Sequence, residues 1–196
     1  FEGIEMLHFT DVTFGSFLLH DHDVIEIMLI LDGDVGVAVK GERYELPRGC
    51  MVLIPPKLVH QTIVPEGTKR YERMVLHIFP EYVKLITKGL PATTYRFQFT
   101  DKVNIFDYSP ETFWMFRTLF ERAYYAITQD KEYQRLVIPS LVVELFVEME
   151  HILLDRVTPP IPATNNLVTT VVDYIDEHFA EPGLTVEQIR ESVYVS

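Results

Sequence analysis

Two regimes of apolar spacing divide the chain. Up to about Phe99, apolar residues come in short runs: Val24 to Leu31, Val35 to Val39, Met51 to Ile54 and Met74 to Phe79. Such runs, rich in Val, Ile, Leu and Phe and bounded by turn residues, predict strands. Asp32-Gly33-Asp34 and Lys40-Gly41-Glu42 supply the hairpins, because glycine accepts the positive φ that tight turns need. Pro47-Arg48-Gly49 and Pro55-Pro56 separate the strands that follow. Many short strands at this spacing predict a barrel or sandwich. A short helix is predicted from Pro80 to Lys88, ending before Gly89.

The spacing changes at Ser109. Ser109-Pro110-Glu111-Thr112 offers an N-cap serine with proline at the first helical position. Phe113, Phe116, Phe120, Ala123 and Ile127 then recur at steps of three and four, the stripe of an amphipathic helix. A second helix runs to about Asp155, with Ile138, Leu141, Leu145, Met149 and Ile152 on one face and Val142, Phe146 and Leu153 widening it. Pro139 either begins the regular part of that helix or kinks it. A stiff proline-rich linker spans residues 158–165. Beyond it come an amphipathic helix, roughly Asn166 to Ala180, a Pro182-Gly183 turn and the start of a fourth helix. There Thr185 is the N-cap and Gln188 the capping-box partner.

Composition narrows the picture. With 196 residues, 47% hydrophobic and 23% charged, the chain has the balance of a globular protein with one ordinary core. Its longest apolar stretch, Leu141 to Leu154, is interrupted by Glu144, Glu148, Glu150 and His151, so no segment is expected to span a bilayer. The single Cys50 excludes an internal disulfide and suits a cytoplasmic location. It lies in an apolar run and reads as a buried, inert thiol. A net charge of −12 repels phosphate backbones, so this stretch is not expected to grip nucleic acid itself.

The chemistry concentrates in His20-Asp21-His22-Asp23-Val24-Ile25-Glu26. On a strand, alternate residues share a face, which would turn His20, His22, Glu26 and Met28 the same way. His60, beyond Pro55-Pro56, is the natural further member. Ionisable groups on an inward face must bond to each other, to a ligand or to a metal, because burying them unpaired is costly. Three uses are therefore open: a divalent metal site, a polar patch gripping a small effector, and a hydrogen-bonded network that fixes strand register.

These intervals resemble the cupin superfamily. His20, His22, Glu26 and Gly33 match its first motif, and Gly49, Pro55 and His60 its second, with Lys57 standing where the family has glycine. The resemblance implies an antiparallel double-stranded β-helix barrel. It also implies a place for Zn, Fe, Mn or Ni held by His20, His22, Glu26 and His60. The C-terminal run Val171 to Phe179, followed by Leu184 to Ile189 and Val193 to Ser196, resembles the opening of an AraC-type DNA-binding domain.

Together these resemblances imply an α+β chain in four parts. Residues 1–108 form an effector-binding barrel and 109–157 a helical dimerisation segment; 158–165 form the linker and 166–196 the truncated start of a helix-turn-helix domain. The function implied is the effector-sensing and dimerisation part of a bacterial AraC-type regulator, not an enzyme. A small polar molecule, a sugar or other polar metabolite, would contact His20, His22, Glu26 and His60, with Met28 and Tyr44 as walls. Phe113, Phe116, Phe120, Leu141, Leu145, Met149 and Ile152 would divide between the barrel and a second subunit of a homodimer. DNA would be met only through the full-length protein. The rival from another class is a metal-dependent cupin enzyme, a dioxygenase or isomerase.

Overall fold

The computed structural model describes residues 3–14, 17–88, 90, 102–106, 109–155, 185, 188 and 190. The expected linker at 158–165 and most of 166–196 lie outside the described residues. Among the described residues, eight strands come in two sheets: β1 (Ile4–Asp11), β2 (Ile25–Asp32), β3 (Val35–Val39), β4 (Glu42–Leu46), β5 (Met51–Ile54), β6 (His60–Ile63), β7 (Tyr71–Ile78) and β8 (Asn104–Phe106). Among the described residues, the complete helices are α1 (Pro80–Thr87), α2 (Pro110–Ala126) and α3 (Lys131–Asp155). The larger sheet has the order β1-β7-β2-β5-β8 and the smaller β4-β3-β6, with antiparallel pairing throughout.

Burial on both faces explains why β2 reads as a continuous apolar run rather than an alternation. Ile25, Ile27 and Leu29 join the core beneath the helices, while Met28 and Ile30 face the interior between the sheets. That interior is filled by Val35, Val37, Leu46, Val52, Ile54, Tyr71 and Val75. Cys50 lies fully buried among them. The hairpin glycines take the conformations expected of them: φ is +94° at Gly33 and +80° at Gly41.

On the outer face of the larger sheet, α2 and α3 cover Ile4, Met6, Leu29 and Leu76. Ser109 caps α2 as the sequence predicts, its Oγ accepting the Thr112 N–H at 3.3 Å. Asp130 caps α3 by accepting the N–H groups of Glu132 and Tyr133 at 3.0 and 2.9 Å. With that cap in place α3 begins at Lys131, so Pro139 lies inside the helix and does not begin it.

The expected dimer residues are found elsewhere than at a free surface. Phe116, Phe120, Leu141, Leu145 and Met149 are at most 2% exposed within this one chain, and Phe113 and Ile152 pack at the edge of the same core. The apolar outer face of the sheet needs covering, and these side chains cover it. The large apolar side chains that α2 and α3 leave exposed are Trp114, Tyr124, Tyr125, Tyr133, Leu136 and Leu153. Near the far end of the chain, Thr185 and Gln188 form the predicted capping box. The Thr185 N–H donates to Gln188 Oε1 at 2.9 Å and the Gln188 N–H to Thr185 Oγ1 at 3.2 Å.

Candidate functional site

Strand alternation is not what brings the histidines together. The segment between His20 and Ile25 is irregular, and His20 forms an isolated bridge to His60 at the start of β6. Backbone bonds secure that bridge in both directions, His20 N to His60 O at 3.0 Å and His60 N to His20 O at 2.9 Å. The Lys57 N–H reaches the His22 carbonyl at 2.7 Å and ties the irregular segment to the turn before β6. Lys57 has φ +63°, so this turn adopts the left-handed backbone conformation that glycine takes without cost. Its ammonium group pairs with Asp23 at 2.7 Å in the open.

All three imidazoles are fixed in the same manner. Nδ1 of His20, His22 and His60 lies 2.9, 2.9 and 2.8 Å from the carbonyls of Leu18, Val24 and Leu58. A carbonyl can only accept, so each Nδ1 carries a proton bonded to the backbone and each ring turns its Nε2 toward the others. One ligating nitrogen from each ring lies within 4.8 Å of the other two. The Nε2 atoms of His22 and His60 are buried without a hydrogen-bond partner. An unsatisfied buried acceptor costs about 1–3 kcal/mol, so two of them side by side call for something that accepts their lone pairs. His20 is the exposed member, and approach to the cluster is from its side.

Glu26, at the second position of β2, completes the group from the larger sheet. Its carboxylate oxygens stand 3.6 Å from His22 Nε2 and 3.8 Å from His60 Nε2, too far for hydrogen bonds. Its closest partner is His77 of β7, whose Nε2 lies 2.8 Å from Glu26 Oε2. His77 Nδ1 in turn lies 3.0 Å from Glu5 Oε2 on β1. Burial alone would raise the Glu26 pKa. The bond from His77, whose own ring favours its charged form there, outweighs burial, and the carboxyl is held well below the ordinary carboxylate range. Burial pushes His60 down, against the pull of the Leu58 carbonyl and Glu26, which favours its neutral ring. His77 goes the other way: burial opposes its charge, but bonds to Glu26 and Glu5 prevail and raise its pKa.

Of the six expected ligand-binding residues, the structure brings together His20, His22, Glu26 and His60. Met28 sits deeper, accepting a hydrogen bond from the Tyr71 hydroxyl at 3.1 Å through its sulfur. Tyr44 lies on β4 with its hydroxyl donated to Glu42, and burial together with Glu42 pushes its pKa to about 12. No described contact joins Tyr44 to the histidines. His77 and Glu5 belong to the site and were missed. The available signal was an ionisable residue interrupting the apolar run Met74 to Phe79. Cavities lie elsewhere too: one of about 470 Å³ beside Phe14, Phe17 and Gln61, and one of about 1000 Å³ between α1 and α3.

The sequence signature of the AraC-like ligand binding domain family matches residues 7–146. No curated protein matches the chain by sequence. Two solved structures of ToxT from Vibrio cholerae strain SCE256 are similar in fold. The apo K231A form is 10% identical with a TM-score of 0.56, covering 96% of this chain and 69% of that one. The wild-type form bound to an unsaturated fatty acid is 8% identical with a TM-score of 0.54, covering 97% and 68%. A cupin-2 domain protein from Shewanella frigidimarina is 20% identical over 40% of this chain and 72% of its own, with a TM-score of 0.34. Barrel, helices and family signature agree: the chain belongs to the AraC-like ligand-binding domain family, and its cupin-type barrel is an effector-sensing regulatory domain.

Proposed function

We propose that this domain senses a small polar effector at the histidine mouth of the barrel, with a divalent ion as part of the sensing site. The observation that carries the reading is the convergence of three Nε2 lone pairs whose Nδ1 hydrogens are committed to backbone carbonyls. Such a cluster accepts and cannot donate, so it suits a Lewis acid or a hydroxyl-bearing ligand. It does not suit a bare carboxylate. His20, His22, His60 and Glu26 would hold the ion, a nitrogen-rich set fitting Zn, Fe, Mn or Ni. When bound, that ion supplies an electrophilic centre with open positions for oxygen atoms.

The protein's own residues do the rest. Backbone carbonyls orient the rings, Glu26 contributes negative charge, and the apolar filling of Met28, Val52 and Val75 closes the barrel beneath, confining the effector to the mouth. ToxT binds an unsaturated fatty acid. The polar mouth here favours a sugar or another metabolite rich in hydroxyl groups. The site acts by binding and not by turnover. The effector's preference for one arrangement of barrel and helices shifts the population competent to occupy DNA in the full-length protein. Pairing through a homodimer would let two helix-turn-helix modules read paired half-sites.

Elemental analysis and zinc titration of wild type and His22→Ala test this reading. Thermal-shift screening of a sugar and hydroxy-acid panel, with and without zinc, accompanies them. The expected result is about one ion per chain and an effector-dependent shift in wild type, with both lost in His22→Ala. Equal zinc uptake by the two proteins, or effector shifts that survive the substitution, would contradict it.

A further inference from the structure

The row Glu5–His77–Glu26 crosses three adjacent strands, and the register of the sheet sets it directly. Glu5 of β1 stands opposite His77 of β7, and His77 stands opposite Glu26 of β2. Directly opposed residues on one face of an antiparallel pair are close enough to interact without long side-chain excursions. Both ring nitrogens of His77 are engaged, one at 2.8 Å with Glu26 and one at 3.0 Å with Glu5. The imidazole is only partly accessible, at 21%. On its other side the Glu26 carboxylate faces the orphaned Nε2 atoms of His22 and His60. A carboxylate at the end of three rotatable bonds has many orientations, and a fixed partner behind it selects one.

We propose that His77 is the positioning residue of the sensing site: it holds Glu26 so that the carboxylate faces the three imidazoles. Glu5 holds His77 in turn, so the orientation of the fourth ligand is tied to the first strand of the barrel. This inference rests on the metal reading above and adds a residue that lies outside the histidine-glutamate intervals of the sequence. Partners behind a metal ligand fix its orientation, and their loss typically weakens metal binding about 10- to 100-fold.

Cobalt(II) is the probe, because its visible absorption reports the number and type of ligands as well as occupancy. The full chain is titrated as wild type, His77→Phe, His77→Gln, Glu26→Gln and the His77→Phe/Glu26→Gln double variant, with thermal melts of the metal-free proteins alongside. His77→Phe is expected to weaken cobalt binding about 10- to 100-fold and to shift the absorption band. His77→Gln, which keeps a donor, should restore most of both. In the Glu26→Gln background, His77→Phe should have no further effect, because it acts through that carboxylate. A His77→Phe protein that melts earlier yet keeps the wild-type band and affinity would overturn the proposal and leave the metal reading standing. Wild type that takes up no cobalt would overturn both.

Discussion

At the residue scale, each histidine of the cluster is defined by the hydrogen bond on its far nitrogen. A carbonyl on Nδ1 leaves Nε2 as a bare acceptor, and three such acceptors in one place are unfavourable unless shared by a ligand. Glu26 responds to the same surroundings. Its folded pKa lies below the value of about 4.3 expected for an unfolded glutamate. The stability it contributes is therefore complete above that value and lost as pH falls through and beneath it. Wild type should lose stability relative to Glu26→Gln as pH is lowered from about 5, measured by urea unfolding across the acid range. A difference between the two proteins that stays constant with pH would contradict the assignment. Lys57 offers a second check at this scale. A lysine at φ +63° occupies a conformation that suits glycine, and its ion pair with Asp23 is exposed. Lys57→Gly should raise the melting temperature, whereas Lys57→Ala should not. Equal melting of both variants would show that the backbone conformation of this turn is not what decides.

At the element scale, the helices and the apolar strands β2, β3, β5 and β7 were legible because local patterns determine them, whereas β1, β4, β6 and β8, more polar or shorter, were not singled out. The turn glycines, the Ser109 cap and the Thr185–Gln188 capping box all formed as their residue types require. What could not be read was tertiary. His22 faces its neighbours from an irregular segment pinned by Lys57, and His77 joins them only because β7 lies between β1 and β2 in the sheet. Neither fact has a counterpart in periodicity. The helical stripes were visible, but which surface they cover depends on how apolar the outer face of the sheet is. Phe120, 1% exposed beneath α2, tests that assignment. Phe120→Ala should cost about 3–5 kcal/mol in denaturant unfolding, independent of protein concentration. A cost that grows on dilution would mean the stripe is completed by a second subunit. In the β2–β3 hairpin, an added Cβ at Gly33 would meet the Arg70 carbonyl oxygen at 2.6 Å, on top of the positive φ. Gly33→Ala should therefore destabilise by about 1–3 kcal/mol, and an unchanged unfolding midpoint would contradict the hairpin geometry.

At the scale of the whole molecule, two antiparallel sheets enclose an apolar interior, with the histidine cluster between them and a helical layer on the outer face of the larger sheet. Among the described residues, no helix is long and apolar enough to cross a membrane. The helical layer uses its inner face for the barrel, so dimerisation through it must use the outward side chains. Tyr125 and Tyr133 meet edge to face at a ring separation of 6.5 Å, and Leu136 is 69% exposed nearby on α3. For the proposed homodimer, Leu136→Asp should shift sedimentation toward monomer, and sedimentation unchanged from wild type would contradict a contact through this face. The sensing site stands or falls with what the three imidazoles hold, and X-ray absorption at the zinc edge of the zinc-loaded protein examines that directly. Three imidazole nitrogens at about 2.0–2.1 Å, with an oxygen donor beside them and loss of the imidazole signal in His22→Ala/His60→Ala, is the predicted result. A zinc shell without imidazole, or a protein that retains no zinc, would contradict it.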